Sequence, residues 1–228
     1  MLAALVLFYI FAFRVKWREI FALFLIPLAK KIPSYILPNH VTILSFLFIL
    51  IAGTFIFFAK YEYFFFLWAV AFLLLFALAD TLDGFLARIR NQLTKSGSFL
   101  DYTLDKLSYL FLLFAAMLGG HIRTELIAIT MLLSLFYNLI DMESLALSGS
   151  KSSLTEHSRW LVPAIILCLI GFFSKFFELE ILFTSGIKFQ ILDIIFSILP
   201  IYLFAVALYK ITTLWKNLSE LDQQGKPS

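Results

Sequence analysis

The chain reads as an all-α polytopic membrane protein, with six transmembrane helices preceded by an N-terminal amphipathic helix at the membrane surface. Three observations predict it. Of 228 residues, 62% are hydrophobic and only 14% charged, and the mean hydropathy is +0.95, a balance foreign to water-soluble domains. Several apolar runs approach the roughly 20 residues that a helix needs to cross a hydrocarbon core of about 30 Å. Nothing between those runs is long enough to form a second, soluble domain.

Taken in order, residues 1–40 form an interfacial, juxtamembrane segment. MLAALVLFYIFAF lacks the basic start and small-residue cleavage site of a signal peptide, and it is short for a span. In the stretch that follows, Arg14, Lys16, Arg18, Lys30 and Lys31 flank apolar residues, the pattern of a helix lying on an anionic surface. The membrane domain covers 41–212, with spans expected near 41–59, 63–90, 99–119, 124–143, 159–175 and 190–211. The breaks are AKYEY, RNQLTKSGS, GGHIRTE, ESLALSGSKSSLTEHSR and SKFFELEILFTSGIKFQ, and a polar tail occupies 213–228. Cys168 falls inside an apolar run and is expected to be a small buried hydrophobe. Asp193 falls near the far end of the last span and is left outside any site.

Six spans put both termini on one side of the membrane. That side then carries 14 of the 18 Lys and Arg residues, and the positive-inside rule makes it the cytoplasm. The turn between spans two and three is cytoplasmic as well, and it is the most acidic part of the membrane domain. ADTLDGFLARIRNQLTKSGSFLDYTLDK, residues 79–106, holds four aspartates between apolar runs.

Asp80, Asp83, Gly84, Ala87 and Arg88 recur at helical spacing and share one face; Gly97, Asp101 and Asp105 do the same on the next helix. Two antiparallel helices joined at QLTKSG would bring the four carboxylates to a similar depth, facing one another. Such a cluster is costly near hydrocarbon unless its charge is compensated, and the nearest cations, Arg88 and Lys106, cannot balance four acids. Divalent ions can. All-oxygen ligands favour hard cations, Mg²⁺ foremost, with Mn²⁺ or Ca²⁺ as alternatives. Gly84 and Gly97 each cost a helix about 1 kcal/mol relative to alanine, so their bare faces point to a bulky group lying against the backbone. The bland alternatives are solvated acids at a membrane boundary and small residues serving helix packing. A divalent-cation transporter or channel would also explain acids in a membrane, but leaves Gly84, Ala87, Arg88 and Gly97 without a role.

Asp80-x2-Asp83-Gly84-x2-Ala87-Arg88-x8-Gly97-x3-Asp101-x3-Asp105 resembles, at all eight positions, the signature of the CDP-alcohol phosphotransferase family. PNHVT at 38–42 is similar to the Pro-Asn-x-x-Thr that precedes the first span in these enzymes. The resemblance implies an enzyme that transfers a phosphoalcohol from CDP-diacylglycerol or a related CDP-alcohol to a small alcohol, releasing CMP. It implies that Asp80, Asp83, Asp101 and Asp105 bind two metal ions, and that Asp105 is also the base that deprotonates the acceptor. It further implies that Asp80, Gly84, Ala87, Arg88 and Gly97 bind the CDP moiety and that the chain forms a homodimer. Membrane lipid, not nucleic acid, is the expected partner.

The acceptor rests on weaker signals. NQLTKSGSFLDYTLDK resembles the same region of phosphatidylglycerophosphate synthases, which points to glycerol 3-phosphate; inositol phosphate or another polyol is the alternative. A phosphorylated acceptor calls for basic side chains, and Lys151, Arg159 and Lys210 lie at the cytoplasmic ends of the later spans. Asp141 and Glu143 stand where many relatives carry arginines; they are either solvated at the helix end or matched to a basic neighbour, or else candidates for a polyol or an amine-bearing acceptor.

Overall fold

The computed structural model describes residues 27, 29, 31–148, 161–177, 180–182 and 188–224. Its helices are α1 (Pro38–Phe58), α2 (Phe65–Ile89), α3 (Lys95–Leu118), α4 (Thr124–Ser148), α5 (Leu161–Phe176), α6 (Ile191–Phe196) and α7 (Ile198–Gln224). Between α5 and α6 lies a short hairpin, β1 (Glu180–Leu182) paired antiparallel with β2 (Lys188–Gln190), Ile181 opposite Phe189. The described fold is therefore helical apart from this hairpin, which the sequence reading treated as loop. By length and composition three stretches can cross a membrane, 38–58, 65–89 and 192–216, and two shorter apolar helices cover 124–140 and 163–176. Six spans are not established. The third expected span coincides with α3, whose first half carries Lys95, Asp101, Asp105 and Lys106. The amphipathic helix expected before residue 27, and the tail beyond 224, lie outside the described residues.

Two compact units divide the chain. In the first, α1 packs along both α2 and α3, and α5 packs on α2, whereas α2 and α3 share no extended backbone contact. The core joins Ile49, Ala52 and Ile56 of α1 to Phe66, Ala69, Leu73 and Phe76 of α2 and to Leu112 and Ala115 of α3. On α1 the buried positions 41, 45, 49, 52 and 56 advance by three and four, the helical period of a packed face. Cys168 sits in this core, as expected. A second cluster, Ala29, Val41, Ala79 and Leu86 with Ile32 and Ile36 against it, closes the end nearer the α2–α3 turn.

That turn is tighter than QLTKSG predicts. Asn91 takes φ +53°, Gln92 N–H bonds to Ala87 O at 2.8 Å and Asn91 N–H to Arg88 O at 3.2 Å, the paired bonds of a Schellman stop with Asn in the left-handed position. Thr94 then caps α3, its Oγ1 accepting from Gly97 N–H at 3.0 Å, so α3 starts four residues before the expected boundary. At the other end of this unit His121 Nε2 is 2.7 Å from Ile56 O, and Lys175 Nζ donates to Ala59 O at 2.6 Å.

The second unit pairs α4 with α7 and holds the hairpin and α6. Asp193, the acid left outside the site, is buried here and accepts from Arg123 N–H at 2.7 Å, just ahead of α4. Lys210 of α7 is buried with its ammonium 5.0 Å from the Tyr137 ring centre.

Candidate active site

The α2 acids sit where the helical period puts them, one turn apart and close to the end of the helix. Asp83 is buried and Asp80 half-buried, and Asp83 lies within electrostatic reach of both Asp80 and Asp101. One acid of α3 thus joins the two of α2. Asp105 is also buried, one turn further along α3, with Tyr102 and Lys106 as charge neighbours. Lys106 Nζ stands 5.2 Å from the Tyr102 ring centre. Arg88 is exposed, 5.9 Å from the Phe85 ring centre, and is not drawn into the acids as their counter-charge.

Helix α1 supplies what sequence spacing could not place. Thr42 interacts with the Asp83 carboxylate, and its Oγ1 lies 3.2 Å from Pro38 O. Asn39, one turn earlier, lies over Gly97: a Cβ added there would stand 3.1 Å from Asn39 Oδ1 and 2.9 Å from Thr94 Oγ1. The two motif glycines therefore differ. Gly97 is needed for its own cap and for the approach of α1, while a Cβ at Gly84 would meet nothing within 4 Å. Only the bare face at Gly84 offers room against α2.

The donor set suits a hard cation. Asp83 Oδ2 is buried without a hydrogen-bond partner, and buried carboxylate oxygens are expensive unless paired or metal-bound. Two further carboxylates act on it, and all the donors are oxygens. Among the described residues no three acids, histidines or cysteines are already gathered as a ligand cluster, so a cation would draw the side chains together. Ser108 Oγ, one turn beyond Asp105, is another buried polar atom without a partner. Neither Thr42 nor Ser108 could be assigned from spacing alone, since a hydroxyl in a span ordinarily bonds its own helix.

Of the expected acceptor residues, Asp141 and Glu143 lie on α4 in the second unit, Glu143 exposed. Lys151 and Arg159 lie outside the described residues.

A helical chain with membrane-length apolar helices and buried acids at the end of two of its helices is an integral membrane protein with an all-oxygen donor set. The family model described as CDP-alcohol phosphatidyltransferase matches residues 35–199, and the chain belongs to that family. It is 37% identical over 99 residues to the archaetidylinositol phosphate synthase of Pyrococcus horikoshii, a match covering 42% of this chain and 49% of that protein. The chain thus matches about half the length of that curated relative. The fold is that of the phosphatidylinositol phosphate synthase of Mycobacterium tuberculosis. The structure of that protein with CDP-DAG bound is 20% identical, with a TM-score of 0.63 over 84% of this chain and 93% of that one. Its complex with manganese and citrate gives 21% and 0.62, over 84% and 88%.

Proposed function

We propose that this protein transfers a phosphatidyl-type group from a CDP-linked lipid to an inositol phosphate, releasing CMP, as a step of phospholipid synthesis. One observation carries the chemistry: Asp83, buried with an unpartnered oxygen, lies within reach of Asp80 and Asp101 on the same faces as the other motif residues. Family membership supports CDP-alcohol transfer over the transporter reading. For the acceptor, the names of the Pyrococcus and Mycobacterium relatives favour inositol phosphate over the glycerol 3-phosphate to which the turn sequence points.

In this reading Asp80, Asp83, Asp101 and Asp105 hold two divalent ions, Mg²⁺ or Mn²⁺; when bound, these would neutralise the pyrophosphate of the donor. The bare face at Gly84, with Ala87, receives the nucleotide, Arg88 supports its phosphates, and Gly97 keeps α1 and α3 close beside it. Asp105 takes the proton of the acceptor hydroxyl. The freed oxygen attacks the phosphorus bearing the lipid alcohol in line; a new P–O bond forms, the bond from that phosphorus to the CMP oxygen breaks, and CMP leaves with the electron pair. Lys151 and Arg159 grip the acceptor phosphate, and Asp141 and Glu143 its hydroxyls. The site and both termini face the cytoplasm, in keeping with the distribution of basic residues, and the working form is a homodimer.

The test is CMP release by the purified protein with CDP-diacylglycerol or its ether-lipid counterpart, Mg²⁺ or Mn²⁺, and inositol phosphate, glycerol 3-phosphate, free inositol and serine as acceptors. Release with inositol phosphate supports the full reading. Release with glycerol 3-phosphate alone overturns the acceptor, and no release with any alcohol overturns the transferase.

A further inference from the structure

Arg90 lies within the motif, two residues after Arg88, and its guanidinium spans three backbone carbonyls more than fifty residues earlier in the chain. Nη1 donates to Ile36 O at 2.6 Å, and Nη2 donates to Ile32 O at 2.6 Å and Pro33 O at 3.1 Å. The acceptors belong to the turn that leads into α1, closed by Ile36 N–H to Pro33 O at 3.1 Å. A planar fork of five donors matches such a set; a lysine ammonium does not. Both ends of the contact are held. The Schellman stop at Asn91 sets where Arg90 stands, and Ile32 and Ile36 pack under the turn against Val41, Ala79 and Leu86. Ala79 precedes Asp80 directly, and Val41 precedes Thr42, so the turn docks on the backbone that carries the acids and on the helix end that approaches them.

We propose that Arg90 is a positioning residue of the donor site: by clamping the Ile32–Ile36 turn to the end of α2, it sets the register of the first turn of α1, keeping Thr42 against Asp83 and Asn39 over Gly97. It touches no reacting atom. Its effect passes through α1 to the face that receives the CDP-lipid, and in this respect the inference rests on the function proposed above.

The experiment compares Arg90→Ala and Arg90→Lys with wild type in lipid nanodiscs. The first readout is the distance distribution between nitroxides at Ser34 and Gln92, both exposed, in a Cys168→Ala background. The second is steady-state CMP release with donor and acceptor varied separately. The clamp predicts a broadened distance for Arg90→Ala and a fall of about ten- to a hundredfold in kcat/KM for the CDP-lipid, with the acceptor KM within about twofold of wild type. Arg90→Lys falls between the two because one ammonium cannot span the carbonyls. An unchanged distance distribution overturns the clamp, and unchanged donor kcat/KM, or equal rises in both KM values, overturns its positioning role. If Arg90→Ala does not fold, the lysine variant is read against the same criteria. If wild-type protein releases no CMP with any acceptor, the transferase reading falls separately, and the distance distribution still decides whether Arg90 holds the turn.

Discussion

Thr42 of α1 stands against Asp83 of α2, a hydroxyl set on one side of a carboxylate whose Oδ2 has no partner. A hydrogen bond to a charged group contributes about 1.5–3 kcal/mol. Thr42→Val is therefore expected to lower kcat/KM for CMP release by about ten- to a hundredfold, and Thr42→Ser to recover most of it. Parallel thermal unfolding separates this from a general loss of fold. A valine variant as active as wild type would remove Thr42 from the site.

Asp105→Asn keeps the size of the side chain and removes its basicity. The expected outcome is loss of CMP release by a factor of about a hundred or more, while Mn²⁺ binding, followed by the electron paramagnetic resonance signal of the free ion, persists through the remaining aspartates. Chelation of divalent ions abolishes release in the wild type, and added Mg²⁺ or Mn²⁺ restores it. Undiminished release by Asp105→Asn would refute the base assignment.

The two motif glycines give opposite expectations. Gly97→Ala forces a methyl group within 2.9 Å of Thr94 Oγ1 and 3.1 Å of Asn39 Oδ1, so it should lower the unfolding temperature as well as activity. Gly84→Ala meets no protein atom within 4 Å, so the fold stays intact and the loss falls on the donor KM. Equal thermal stability of the two variants would contradict the difference drawn between these positions.

His121 contributes one part of the pH dependence of stability. Burial pushes its imidazole from an ordinary value of 6.5 down to about 4, and the charges of Lys175 and Lys60 act in the same direction, against the bond to Ile56 O. The unfolded chain then binds a proton between pH 6.5 and 4 that the folded chain does not. The contribution of His121 is full above pH 6.5, declines as pH falls through that window, and levels off below about 4, a total of about 3 kcal/mol. In detergent, the unfolding midpoint of the wild type therefore falls relative to that of His121→Gln, which retains a donor for Ile56 O, as pH goes from 7.5 to 4. A difference between the two proteins that does not change with pH would contradict the buried neutral imidazole.

The acids were legible because a helical period of three and four residues puts Asp80, Asp83 and Gly84 on one face whatever surrounds them. PNHVT was legible only as a likeness, with no partner attached to Thr42 or Asn39. Arg88 shows the limit of the same rule: spacing placed it on the acidic face, yet its guanidinium lies exposed beside Phe85. The strand pair Glu180–Leu182 and Lys188–Gln190 was missed because three-residue strands are too short to show a period.

Composition and periodicity alone determined that the chain is helical, membrane-embedded and acidic at one turn, because hydrocarbon tolerates neither unpaired backbone nor unpaired charge. They also placed the four aspartates and the motif glycines on shared helix faces. Only the tertiary structure decided how the faces meet. Helix α1 packs along both α2 and α3, bringing Thr42 to Asp83 and Asn39 to Gly97, and Arg90 reaches back to the turn before α1. These are contacts between residues far apart in the chain, several made to backbone carbonyls, which every residue possesses and no sequence pattern marks.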